Sequence, residues 1–139
     1  MATRWPIRKV HAEENVPDSC FIFGMSEDEM GEGRYLIFQS GLREPTPQQQ
    51  RLGLDSYCIL NEEDGQCFGG VEEVVVSEQS LHLSLTEEAA SELGVADRSF
   101  DLTIEADGGG REVYEGLRRA LAWGNPELHP RRVEFRTQG

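Results

Sequence analysis

The sequence lacks several features that would place it outside the cytoplasm. No apolar run approaches the roughly 20 residues of a membrane-spanning helix, and the start, M-A-T-R-W-P, lacks the apolar core of a secretion signal. Cysteine is scarce, with only Cys20, Cys58 and Cys67. An odd number of cysteines without an export signal predicts reduced thiols rather than a disulfide framework. These absences predict a cytoplasmic protein with no membrane partner.

Recognisable metal and catalytic patterns are also missing. His11, His82 and His129 are far apart, and none forms a pair at the spacing of zinc ligands. Leu60–Val71 looks acidic but has the wrong residues at both ends for a calcium loop. Gly108–Gly110 precedes a predicted helix without the Lys and Ser/Thr of a phosphate-binding loop, so we interpret it as a hinge. We therefore predict no cofactor, no metal and no enzymatic activity, while a small enzyme with an unrecognised carboxylate site stays an alternative.

What the sequence has in abundance is negative charge. The formal net charge is −13, and its distribution is uneven: residues 1–12 carry +3, residues 13–107 carry −18 and residues 108–139 carry +2. A polyanionic surface repels nucleic acid and attracts basic partners at long range. Solubility is the simpler explanation of any charge excess, but the concentration of charge in one stretch favours electrostatic steering toward a basic protein.

Residues 52–94 contain the clearest structural signals. The apolar run Tyr57–Leu60 predicts a strand, and Asp64-Gly65 predicts a tight hairpin turn, because glycine accepts the positive φ of primed turns. Cys67–Val76 reads as the returning strand. Gly69-Gly70 inside it predicts a bulge or a close backbone approach.

The next segments alternate between strand and helix signals. Leu81–Leu85 has the period-2 pattern of a half-buried strand. Thr86 predicts a helix N-cap and Gly94 the corresponding stop. A second alternating strand is predicted at Phe100–Ile104, and the apolar residues of Arg111–Trp123 recur at helical spacing, which predicts an amphipathic helix.

The segments before residue 52 indicate further strands joined by polar loops. Strands are predicted at Ile7–His11, Cys20–Gly24 and Arg34–Ser40. An acidic loop, Ser26–Gly33, lies between the second and third of these strands. A proline-containing polar loop, Glu44–Arg51, follows the third. Short connections between consecutive strands favour antiparallel pairing.

The predicted fold class is α+β. It consists of a mainly antiparallel sheet of about six or seven strands, one short helix, and a C-terminal amphipathic helix packed on one face. Val133 and Phe135 are candidates for an edge strand. The chain is expected to form one domain, 1–139, with a core at about 20–124 and peripheral ends at 6–12 and 125–139.

Several segments together resemble a known family. They are R-Y-L-I-F-Q (34–39), L-G-L-D-S-Y-C (52–58), F-G-G-V (68–71), L-H-L-S-L-T-E-E-A-A-S-E-L-G (81–94), F-D-L-T-I (100–104) and the last helix. Over Cys20–Trp123 the chain resembles the immunity proteins of bacterial polymorphic toxin systems, specifically immunity protein 10. The resemblance implies a non-catalytic protein that binds and neutralises a cognate toxin. G-L-D-S-Y and G-G-V are the most distinctive pieces, and structural roles are expected for Asp55, Gly65, Gly69, Gly70 and Gly94.

The resemblance assigns no interface residues, so we place the interface by charge. The hypothesis is an acidic surface made by two groups of residues: Glu27, Asp28, Glu29 and Glu32, and Glu62, Glu63 and Asp64. Tyr57 and Phe68 are candidate aromatic anchors, with core packing as the alternative for both. A structural or oligomerisation module remains a competing function, and a homodimer is compatible with either reading.

Overall fold

The computed structural model describes residues 2–137, which contain eleven strands and three α-helices. The strands are β1 (Ala2–Thr3), β2 (Pro6–Ile7), β3 (Lys9–Asn15), β4 (Cys20–Ser26), β5 (Tyr35–Gly41), β6 (Cys58–Asn61), β7 (Gln66–Phe68), β8 (Val71–Val76), β9 (Ser80–Leu85), β10 (Ser99–Ile104) and β11 (Arg132–Phe135). The helices are α1 (Pro47–Arg51), α2 (Glu87–Leu93) and α3 (Gly109–Leu121), and a 3-10 turn follows at Pro126–Leu128.

The strands are divided between two sheets. One has five strands in the order β3-β4-β5-β6-β7, and every neighbouring pair is antiparallel. The other has six strands, with β10, β9 and β8 antiparallel at its centre and β1, β2 and β11 added in parallel at its edges. The α+β class and the mainly antiparallel pairing are confirmed. The strands are more numerous than predicted, because short edge strands join the six-stranded sheet through pairing that local sequence does not reveal.

The two sheets are connected at the Gly69-Gly70 pair. The prediction of one strand over Cys67–Val76 is wrong, because β7 ends at Phe68 in one sheet and β8 begins at Val71 in the other. Gly69 and Gly70 have φ of 74° and 96°, which is backbone that other residues rarely adopt. A Cβ on Gly70 would also lie 2.5 Å from the Ala89 Cβ. The glycines therefore turn the chain from one sheet to the other beneath α2.

A second change of sheet occurs near the amino terminus. β2 pairs with β10 in the six-stranded sheet, whereas β3 pairs with β4 in the other. Trp5 and Ile7 are 5% and 0% exposed and belong to the main hydrophobic cluster. The predicted amino-terminal strand 6–12 was placed outside the core, whereas its residue Ile7 is buried in the core. Ile7 is buried because β2 pairs in parallel with β10, a strand almost 100 residues later in the sequence.

The core joins both sheets and the last helix. On β4 the buried residues alternate with half-buried ones, so that Phe21, Phe23 and Met25 share the inner face. α3 packs on this face, and a Cβ on its Gly116 would come within 2.1 Å of the Phe23 ring. Arg119 of α3 lies with its guanidinium carbon 4.1 Å from the centre of the Phe21 ring. The predicted apolar stripe of α3 faces the core as expected. The sequence did not predict that α3 contacts Phe23 through Gly116.

Two predicted irregular segments are ordered instead. The polar loop Glu44–Arg51 contains α1, since Thr46 caps it through a reciprocal pair of hydrogen bonds with Gln49 and Pro47 opens its first turn. Gly108–Gly110 is not a hinge. Gly110 donates its N–H to the Glu78 carbonyl at 3.0 Å, and a Cβ there would lie 1.8 Å from the Ser77 carbonyl oxygen. The start of α3 is thus fixed against the end of β8.

The predictions for local caps and for the last strand are confirmed. The Ala89 N–H donates to Thr86 Oγ1 at 3.1 Å, and Gly94 ends α2 in the left-handed conformation. Val133 lies on β11, which pairs in parallel with β8 at the sheet edge. Asp55 acts through its backbone, because its carbonyl accepts the Asn125 N–H at 2.7 Å. The single-domain boundaries stay a prediction.

Candidate functional site

Two acidic loops close neighbouring hairpins at the same end of the five-stranded sheet. The loop at 27–34 connects β4 to β5, and the turn at 62–65 connects β6 to β7. Register places Ser26 beside Tyr35, and the Tyr35 N–H donates to Glu62 Oε1 at 3.0 Å. The structure therefore brings the two predicted acidic groups together. We call these two loops the acidic end.

The first loop is held in shape by two of its own acids. Glu27 Oε1 accepts hydrogen bonds from the Arg34 backbone N–H at 2.7 Å and from Arg34 Nε at 3.0 Å, and Oε2 accepts one from the guanidinium at 3.0 Å. These bonds lower the pKa of Glu27. Asp28 accepts the backbone N–H groups of Glu32 and Gly33, each at 3.2 Å. Glu27 and Asp28 therefore shape the loop as well as charging it.

The second loop is anchored to α2 by a buried asparagine. Asn61 is 3% exposed; its Nδ2 donates to the Leu93 carbonyl at 2.8 Å, and its Oδ1 accepts the Gly65 N–H at 3.0 Å. The residue with positive φ is Asp64 (59°), not Gly65 as predicted. Gly65 is needed instead because a Cβ would lie 2.5 Å from the Leu93 carbonyl oxygen. Sequence reasoning missed Asn61, since its partner lies 32 residues away.

The acids most accessible to a partner are those that do not shape the loops. Glu29 and Glu32 of the first loop and Glu63 and Asp64 of the second are exposed. Met30, which lies between Glu29 and Glu32 in the first loop, is 80% exposed. Their carboxylates sit on loops that Arg34 and Asn61 hold in place. This gives a negatively charged end whose two loops are held by hydrogen bonds within the chain.

The two candidate aromatic anchors have different positions. Tyr57 is 0% exposed; its hydroxyl donates to the Leu128 carbonyl at 2.9 Å and accepts the Val71 N–H at 3.0 Å. Burial raises the pKa of Tyr57 to about 12. Tyr57 is a core residue, so it is not available as an anchor. Phe68 is 41% exposed, but it pairs with Cys58 at the end of β7 away from the acidic turn.

The cysteines do not form an exposed reactive pair. Cys58 is paired with Phe68 and Cys67 with Ile59, so adjacent strand positions place the two thiols on opposite faces of the sheet. Burial raises the pKa of Cys58, and it raises that of Cys67 to about 12. Both thiols are therefore protonated at neutral pH, which disfavours a role as nucleophiles.

Two of the histidines contact carboxylates. His82 Nδ1 lies 2.7 Å from Asp101 Oδ1, and His11 Nε2 lies 3.0 Å from Glu13 Oε1. Within residues 2–137 no three His, Cys, Asp or Glu side chains are grouped to hold a metal ion. Over the same range, no helix combines the length and the apolar character needed to cross a bilayer.

Fold and site together define a small α+β protein with an ordered, acidic end. The family model described as Immunity protein 10 matches residues 6–112, and the chain therefore belongs to that family. The match includes both acidic loops and ends within α3. No curated protein and no solved structure matches the chain.

Proposed function

We propose that this chain is a non-catalytic immunity protein that neutralises a bacterial toxin by binding it through the acidic end. The observation that carries the proposal is the convergence of two acidic loops on one end of the five-stranded sheet, in a chain that belongs to an immunity-protein family. A toxin made by the same cell must be met before it acts, so we also propose that binding takes place in the cytoplasm.

The charge of the acidic end supports a basic partner. Residues 13–107 carry −18, and this stretch includes both loops. Exposed charges of one sign accelerate the encounter with an oppositely charged protein and do so less as salt rises. We therefore propose a toxin with a basic contact surface. Its binding should be fast at low ionic strength.

Ordered loops support the same proposal energetically. A partner that binds flexible loops must offset the entropy lost when they become fixed. Here Glu27 with Arg34, and Asn61 with the end of α2, already hold both loops. The exposed carboxylates of Glu29, Glu32 and Glu63 then contribute to binding with little further ordering of the backbone.

A charge-reversal pair tests the placement. The variant Glu32→Lys/Glu63→Lys changes exposed acids of both loops and leaves the loop-shaping Glu27 and Asp28 intact. The control Glu44→Lys/Glu127→Lys alters net charge equally at exposed positions outside the two loops.

The readout is growth of a susceptible host that expresses the toxin domain encoded beside this gene, together with co-purification of the complex. We expect rescue by the wild-type chain and by the control, and weaker rescue by the acidic-end variant. Equal rescue by both variants would place the interface elsewhere. No rescue by soluble wild-type chain would contradict the immunity function.

A further inference from the structure

We propose that the outer face of the five-stranded sheet is the apolar part of the toxin interface, and that it receives an apolar side chain flanked by Lys or Arg residues of the partner. This inference rests on the proposed function. It adds a surface that charge alone does not identify. It also assigns Phe68 a place in that surface.

Strand register defines the residues of this face. One row across the sheet contains Glu13, Ile22, Gln39, Cys58 and Phe68, and the next contains His11, Gly24, Ile37, Leu60 and Gln66. A third row, nearest the acidic end, contains Lys9, Ser26 and Tyr35. We call these three rows the outer face.

Helices α2 and α3 pack on the other side of the sheet. α3 contacts the inner face at Phe23, and the end of α2 receives a hydrogen bond from the inner-face residue Asn61. Ile22, Ile37 and Leu60 on the outer face remain partly exposed. Together with Phe68 at 41% exposure, they form an apolar stripe across four strands, the type of surface that marks interaction sites.

A groove of about 330 Å³ lies at the Ile22 and Ile37 end of this stripe. Its lining comprises Lys9, His11, Ile22, Gly24, Met25, Ser26, Tyr35 and Ile37, with Gly31 of the first acidic loop. Gly24 contributes no side chain to this lining, and a Cβ built on it would be in ordinary contact with Ile37 Cγ1 at 3.6 Å. The groove therefore has room for an apolar side chain and opens beside the acidic end.

Charge complementarity identifies the occupant as a basic protein rather than a second copy of this chain. Acidic residues outnumber Lys and Arg on the outer face and the acidic end. The basic residues are Lys9 and Arg34, and the acidic residues are Glu13, Glu27, Asp28, Glu29, Glu32, Glu62, Glu63 and Asp64. Two such surfaces facing each other would bring like charges together, at a net charge of −13 for each chain. A partner with Lys or Arg around an apolar anchor satisfies both parts of the surface.

Filling the groove tests the inference without changing charge. Gly24→Val places a β-branched residue, which suits a strand, in the space that the partner's side chain would occupy. Ile37→Thr is a second variant that keeps the β-branching and removes apolar surface. Thr103→Val is the matched control, because Thr103 is exposed on β10 of the other sheet.

Affinity for the neighbouring toxin domain is measured by calorimetry, with thermal melts and the oligomeric state of each variant. We expect both groove variants to weaken binding by about ten-fold or more, the size of change typical of an interface anchor, and Thr103→Val to have no effect. If the wild-type chain binds the toxin domain and both groove variants have affinities within about two-fold of the wild-type value, the inference is overturned. The immunity function would still stand. A wild-type dimer that Gly24→Val converts to a monomer also overturns it, since the face would then join two copies. No binding by the wild-type chain contradicts the proposed function and this inference together.

Discussion

Replacing Tyr57 by Phe removes one hydroxyl from the junction between the two sheets. Tyr57 precedes β6, and its hydroxyl bonds Val71 at the start of β8 and Leu128 in the 3-10 turn. Val71 is 3% exposed, so its N–H would lose its acceptor in a place that water reaches poorly. The rest of the ring stays in the core. The substitution therefore isolates the contribution of these two hydrogen bonds.

The expected loss of stability follows from the buried donor. Leaving a buried N–H unsatisfied costs about 1–3 kcal/mol, so we expect the free energy of unfolding to fall by about 2 kcal/mol at pH 8. For a chain of this length that lowers the melting temperature by roughly 6–8 °C. A loss of this size is a large fraction of the stability of an ordinary domain.

Alkaline pH should remove much of the difference between the two proteins. Burial raises the pKa of Tyr57 to about 12, so the unfolded chain releases this proton first, near its ordinary pKa of about 10. The contribution of a raised pKa is fully present below pH ~10 and is lost as pH rises toward ~12; about 1.4 kcal/mol is gone by pH ~11. Tyr57→Phe has no such group. The stability gap should therefore narrow to less than about 1 kcal/mol at pH ~11.

Urea denaturation of both proteins at pH 8 and at pH 11 measures this gap. Ionisable groups that the two proteins share affect both equally and cancel in the difference. A gap near zero at pH 8 would show that the hydroxyl does not stabilise the sheet junction. A gap that stays constant up to pH 11 would refute the argument that burial raises this pKa.

Two further substitutions test the packing of the helices. Gly116→Ala should destabilise the chain by about 2 kcal/mol in urea, because overpacking of up to about 3 kcal/mol against the Phe23 ring outweighs a gain in helix propensity of about 1 kcal/mol; a neutral or stabilising result would mean that α3 does not approach Phe23 so closely. Thr86→Ala should cost about 1 kcal/mol through loss of the α2 cap, whereas Thr86→Ser keeps the capping oxygen. Equal stability of these two Thr86 variants would show that the cap does not contribute.

Features encoded by neighbouring residues were predictable from the sequence. The strand alternation around Leu83, the cap at Thr86 and the stop at Gly94 all depend on residues a few positions apart. The hairpin at Asp64-Gly65 was predicted for the same reason, although the two residues have other roles than expected. Signals between near neighbours thus sufficed for these elements.

Features that depend on distant residues were not predictable. Pairing of β2 with β10 buries Ile7. At Gly70 the predicted close backbone approach is present, but the sequence does not show that the chain changes sheets there, against Ala89 of α2. The acids of the candidate site lie on loops and are exposed or partly exposed. That the two loops meet depends on strand order within the sheet, which the sequence does not reveal. Tyr57 and Phe68 are both candidate anchors by sequence, because the sequence does not show whether an aromatic side chain faces the core or the solvent.

The central claim is that this chain binds a toxin through the acidic end. Its most direct test is a calorimetric titration of the purified neighbouring toxin domain with the purified chain at low and at high salt. We expect a defined complex whose affinity falls as salt rises, and a weaker complex with Glu32→Lys/Glu63→Lys at low salt. Binding that is insensitive to salt and to this variant would contradict the acidic interface. The absence of any complex would contradict the immunity function.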